Sequence, residues 1–151
     1  MSRLAVGARS AWAEAAIEDF LRDYRAPLRV AGQGASGFPL LCSLWSRYEA
    51  GVLWCASQRD AAIVRCLERD PRCAFELAPN EPPYRGVRGR GRAAIHPDAG
   101  PRVLGELLER YQGGRDGALA RWLLARADTE VAIAIEVEWV TAWDYTERMS
   151  G

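Results

Sequence analysis

Apolar residues along the chain follow two rhythms. Over residues 10–25, "SAWAEAAIEDFLRDYR", Trp12, Ala16 and Phe20 recur four apart, as do Ile17 and Leu21. That period predicts a helix with one buried face, with Ser10 as its N-cap and Pro27 ending the segment. "LRVAGQ" (28–33) alternates apolar and polar positions and predicts a strand, and "GASG" (34–37) a turn. A long apolar strand over 38–48 then turns at 49–51 into a hairpin partner, 52–57. A second helix is expected over 58–70, stopped by Asp70-Pro71, followed by a strand over 72–78 and a stiff loop, "PNEPP", over 79–83. Helices over 100–112 and 117–127 precede a final strand, 130–143. On that strand Val131, Ile133, Ile135, Val137 and Trp139 fall on one face by strict alternation.

The stretch "YRGVRGRGRAAI" (84–95) allows two readings. Arg-Gly sequences of this kind occur in disordered RNA-binding tails. Here Arg88, Arg90 and Arg92 keep a register of two against Gly89, Gly91 and Ala93, and the segment runs on into apolar residues. A disordered tail has no reason to hold that register. The period predicts a strand with one arginine face and one face almost without side chains, open to close approach by backbone. With it the count is six strands and four helices, joined by hairpins or short helices. That implies a mainly β single domain, 1–151, with flanking helices and an antiparallel barrel. Regular βαβ alternation is missing, which argues against a doubly wound sheet.

Composition narrows the chemistry. The 151 residues carry 20 basic and 20 acidic side chains and a net charge of zero. A nucleic-acid partner would ordinarily call for a basic excess, so none is expected. All 20 basic residues are arginine. No lysine is present to form a Schiff base, and any anion must be held by arginine, backbone N–H groups or hydroxyls. Cys42, Cys55, Cys66 and Cys73 form no C-x-x-C pair and His96 is the only histidine, so no metal site is expected. The cysteines sit in apolar runs and read as buried thiols of a reducing cytoplasm. No signal peptide or membrane-length apolar run is read. No Ser-His-Asp or Cys-His constellation is recognisable.

Six stretches, in this order, resemble the FMN-binding split-barrel family, the pyridoxamine 5′-phosphate oxidase-like proteins. They are "LRVAG", "ASGFPLLCSLW", "GVLWCAS", "CLERDPRCAFEL", "YRGVRGRGRAAI" and the closing "WDY" with "RM" after it. The resemblance spans residues 10 to 149. It implies a six-stranded antiparallel split β-barrel and a homodimer with FMN in a groove between subunits. Carried onto this chain, it places backbone of Cys42, Ser43, Leu44 and Trp45, and of Cys55, Ala56 and Ser57, against the flavin ring. Ser57, Gln58 and Arg59 are implied as the phosphate site, at the start of a helix whose dipole favours an anion. Many family members carry a basic residue inside that helix. Ile63 stands in its place here, so Arg59 or an arginine of the long strand, Arg88 or Arg90, is expected to substitute.

The bland readings stand beside these. Trp45 and Trp54 read equally as core aromatics, Ser57 as a helix N-cap, and Arg59 as a partner of Asp60 or Glu68. The expectation is a flavin-dependent oxidoreductase with a small-molecule substrate. The alternatives are the same barrel serving the deazaflavin F420, whose acidic tail suits an arginine-rich strand, and a non-catalytic flavin- or haem-binding protein.

Overall fold

The computed structural model describes residues 3–151; Met1 and Ser2 lie outside it. Helix α1 (Glu14–Asp23) precedes strands β1 (Leu28–Gln33), β2 (Pro39–Leu44), β3 (Ser46–Glu49) and β4 (Val52–Gln58). Helix α2 (Ala62–Arg69) leads to β5 (Arg72–Leu77) and β6 (Arg85–His96). Helices α3 (Gly100–Gln112) and α4 (Ala118–Leu124) lead to β7 (Glu130–Asp144). Among the described residues no helix is long and apolar enough to cross a membrane.

The strands form one antiparallel sheet in the order β2-β1-β5-β6-β7-β4-β3, seven strands rather than six. The difference has a local cause. The apolar run 38–48 breaks at Trp45. Its first half pairs with β1 and its second half with β4. The two edge strands of the sheet are therefore consecutive in the chain, and the sheet must curl into a half-barrel for one residue to join them. Tyr111 of α3 holds this corner. Its hydroxyl accepts the Ser46 N–H at 3.2 Å and lies 3.0 Å from the Ala26 carbonyl, while its ring stacks on Trp45 at 5.2 Å.

Inside the curl sit Leu28, Val30, Leu53, Phe75, Leu77, Val87, Ile133 and Ile135. Ile17 and Leu21 of α1 and Ile63, Val64 and Leu67 of α2 join the same cluster. A second, smaller core lies outside the sheet, where Val103 and Leu107 of α3 pack on Ala132, Trp54 and Ala56. The first six residues of β7 are consequently buried on both faces, and alternation begins only at Glu136.

Two sequence expectations are corrected here. Trp139 does not share a face with Val137. The register slips by one residue opposite Arg90 and Gly91, leaving Glu138 unpaired in β7. This β-bulge turns Val140 and Ala142 inward and Trp139, Thr141 and Trp143 outward. The first two helices also start four residues later than expected. Ser10 caps no helix; its hydroxyl accepts the Ala142 N–H and ties the N-terminal segment to β7. Residues 58–61 are held by the sheet, because Gln58 pairs with Glu130 and the Arg59 N–H donates to the Thr129 carbonyl.

The arginine-glycine stretch is β6, ordered along its length. A β-carbon on Gly89 would lie 2.5 Å from the Trp139 carbonyl oxygen and 2.6 Å from the Phe75 ring. One on Gly91 would overlap the Glu136 carbonyl oxygen. The glycine face is where neighbouring backbone and an inward ring approach, as the period implied.

Candidate functional site

Beyond the start of β7, which α3 covers, the outer face of β2, β1, β5, β6 and β7 has no helix over it among the described residues. Register places two rows of side chains across it. One runs Ser43, Arg29, Glu76, Arg88, Thr141; the next runs Leu41, Ala31, Ala74, Arg90, Trp139. The two alanines at the centre of the second row leave a trough of about 240 Å³ floored by Ala31 and Ala74. Leu41, 68% exposed, forms one wall, and Arg29, Arg88, Arg90 and Trp139 form the others.

Charge on this face is unevenly compensated. Arg72 is paired with Asp70 at 2.7 Å and holds that carboxyl down at about 2, first through their side-chain hydrogen bonds. Arg92 pairs with Glu138 at 2.7 Å. Arg88 and Arg90 have no ion pair among the described residues. Their guanidinium groups lie over the indoles of Trp143 and Trp139, at 5.7 and 5.5 Å from the ring centres. A cation–π contact of this kind holds the guanidinium near the ring without using its N–H groups, which stay available to an anion. Arg29 donates to the Ser43 hydroxyl at 2.8 Å.

The residues implied by the family resemblance fall into four places. Ser43, Arg88 and Arg90 share this outer face. Cys42, Leu44, Cys55 and Ile63 belong to the interior, Cys55 fully buried and Ile63 only 5% exposed. Burial pushes the Cys55 thiol far above its ordinary pKa, and the Cys73 thiol up to about 11. Trp45 and Ala56 pack under α3, the core reading weighed for Trp45.

Ser57, Gln58 and Arg59 close β4 rather than opening a helix, since α2 begins at Ala62. The Gln58 amide is already engaged: its Nε2 donates to Glu130 Oε1 at 2.6 Å and its oxygen accepts the Thr129 hydroxyl. Arg59 is exposed and makes no ion pair among the described residues, with Asp60, Glu68 or any other acid. Glu130 itself is 4% exposed and its Oε2 has no partner. Among the described residues no group of three or more His, Cys, Asp or Glu side chains could hold a metal ion.

Several solved structures share this architecture. A conserved hypothetical protein from Mycobacterium tuberculosis is 27% identical, with a TM-score of 0.77 over 94% of this chain and 91% of that one. A protein named F420 reductase is 20% identical, with a TM-score of 0.70 over 82% of this chain and 94% of that one. A candidate pyridoxamine 5′-phosphate oxidase from Listeria innocua is 14% identical, with a TM-score of 0.58 over 77% and 86%. No protein-family model and no curated protein sequence matches the chain. The chain has the split-barrel fold of the pyridoxamine 5′-phosphate oxidase-like proteins.

Proposed function

We propose that this protein binds a flavin-type cofactor between two copies of the chain and is an oxidoreductase for a small molecule. The observation that carries the reading is the outer sheet face. A trough floored by alanines is walled by Arg29, Arg88, Arg90 and Trp139, with Glu76 opposite Arg88, and neither Arg88 nor Arg90 makes an ion pair among the described residues. A planar ring bearing an anionic tail matches that chemistry.

The residues present suit such a group. β2 is an edge strand, paired on one side only, so its other side offers backbone N–H and C=O groups to a ring. Arg59, Arg88 and Arg90 make no ion pair among the described residues. The cofactor, when bound, supplies the hydride chemistry. The chain's own part is to orient the ring, exclude water with Leu41 and Trp139, and balance negative charge with arginine. A second copy over the same face would cover Leu41, which is 68% exposed. The four free thiols accord with a reducing compartment such as the cytoplasm.

FMN is the first candidate. F420 is favoured by two features: the apolar Ile63 in the place of a phosphate-binding base, and more free arginines than one phosphate needs. Separate equilibrium titrations with FMN and F420 test the reading. One of the two should bind, and Arg90→Ala should weaken it by about 1.5–3 kcal/mol, the scale of a hydrogen bond to a charged group. The unfolding midpoint of the cofactor-free variant should stay put. Wild-type protein that takes up neither cofactor contradicts the proposal.

A further inference from the structure

A cavity of about 510 Å³ opens on the same sheet face as the trough, between the two ends of the chain. It shares Arg88 and Trp139 with the trough. Its other walls include Arg9 of the N-terminal segment, Trp143 of β7, and Tyr145 and Arg148 of the C-terminal turn. Three guanidinium groups and one carboxylate, that of Asp144, line it. The carboxylate is already engaged. Asp144 accepts the Trp12 indole N–H at 2.9 Å, the Thr146 N–H at 3.0 Å and the Thr146 hydroxyl. Arg9, Arg88 and Arg148 make no ion pair among the described residues. Arg88 and Arg148 lie over the rings of Trp143 and Tyr145, at 5.7 and 5.2 Å from their centres. In the two larger cavities, by contrast, Arg72, Arg92, Arg3, Arg22 and Arg47 all have carboxylate partners.

The bulge at Glu138 builds this cavity. Regular alternation from Val137 would have turned Trp139, Thr141 and Trp143 inward, and the slipped register turns all three outward. Gly7 then brings the N-terminal segment down onto them. A β-carbon at Gly7 would lie 2.8 Å from the Trp139 ring and 3.3 Å from Thr141. Main-chain hydrogen bonds to Val140 and Ala142 fix the segment on either side of Arg9, which carries that side chain to the cavity wall. At the other end, the hydrogen bonds from Thr146 to Asp144 start the turn that brings Tyr145 and Arg148 round. The Tyr145 N–H donates to the Tyr84 carbonyl at 2.9 Å and ties the turn to the start of β6.

Two indoles and a phenol offer flat apolar faces here, and guanidinium groups without counter-ions favour negative charge. A cavity of this size accommodates one small molecule. Resting on the reading of this chain as a flavin-type cofactor protein, we propose that this cavity takes the substrate, and that the substrate is a planar aromatic carboxylate. Its ring lies among Trp139, Trp143 and Tyr145. Its carboxylate is held by Arg9 and Arg148, and either guanidinium fork can donate to both oxygens at once. Arg88 and Trp139 are walls of the cavity and of the trough alike, which sets the bound ring beside the cofactor's.

Calorimetric titration of wild type with naphthoate, naphthamide and cyclohexanecarboxylate tests the class of ligand. Naphthoate should bind. Naphthamide, which lacks the charge, should bind about 10-fold more weakly or worse. Cyclohexanecarboxylate, which lacks the flat ring, should bind about 3- to 10-fold more weakly. Arg9→Ala and Arg148→Ala should each weaken naphthoate about 10- to 100-fold, with unchanged unfolding midpoints. Arg65→Ala, which removes the same charge from an exposed position on α2, should leave the affinity as it is. Naphthoate should also bind with FMN or F420 already in place. No binding to wild type, equal binding of either analogue, unchanged affinity in both Arg9→Ala and Arg148→Ala, an equal loss in Arg65→Ala, or displacement of the cofactor by naphthoate overturns the assignment. Wild type that binds neither FMN nor F420 defeats the cofactor reading instead, and the substrate role with it. The naphthoate titrations then judge the cavity as an aromatic-anion site alone.

Discussion

Gly91 lies directly against the carbonyl oxygen of Glu136, so close that a β-carbon on Gly91 would overlap it. The contact is made one residue from the point where β7 slips its register against β6. A side chain at 91 would push the two longest strands apart at the bulge. Gly91→Val is expected to destabilise the fold by about 1–3 kcal/mol, the cost of overpacking a tight site. Urea unfolding measures it, and an unchanged midpoint would contradict the packing described.

The corner at Trp45 gives a second prediction. The Tyr111 hydroxyl serves the Ser46 N–H and sits beside the carbonyls of Ala26 and Ser46, where the chain passes from one sheet edge to the other. Tyr111→Phe leaves the Ser46 N–H, in a residue only 4% exposed, without that acceptor. A loss of about 1–3 kcal/mol is expected for the orphaned group. Chemical denaturation of the variant checks it, and full retention of stability would mean the corner is held by packing alone.

Glu130 sets a pH dependence. Burial raises its carboxyl above the ordinary range, opposed by the hydrogen bond from Gln58. A carboxyl whose folded pKa is raised favours folding while it is protonated, below the unfolded pKa. That advantage is lost as pH rises through the folded value. Wild type is therefore expected to lose stability relative to Glu130→Gln as pH climbs from about 4 towards neutrality. Parallel unfolding curves across that range, with a constant gap, would show that Glu130 does not titrate differently in the folded protein.

How much of this was legible in the sequence depended on whether neighbours along the chain or across the fold decided the outcome. Arg88, Arg90 and Arg92 announced their shared face because a period of two needs no partner to be read. Ile63 stands where the resemblance implies a base, counted back from Asp70-Pro71. Trp45 gave no sign of breaking its strand, since the apolar run is continuous and only the separate partners β1 and β4 divide it. Trp139 was misplaced for a similar reason: one unpaired residue, Glu138, reverses every face after it, and a bulge has no side-chain period. Gln58 looked like the start of a helix until Glu130, distant in sequence, proved to hold it in the sheet. Gly32, which lets α2 sit directly on β1, could be interpreted only in three dimensions.

In the proposed function a flavin-type cofactor sits between two copies of this chain. Sedimentation velocity, recorded at once in the protein band and in the visible band of added FMN or F420, tests both halves together. Visible absorbance is expected to travel with a species of twice the chain's mass for one of the two cofactors. Protein that sediments only as a monomer, with both cofactors left behind in solution, would contradict it.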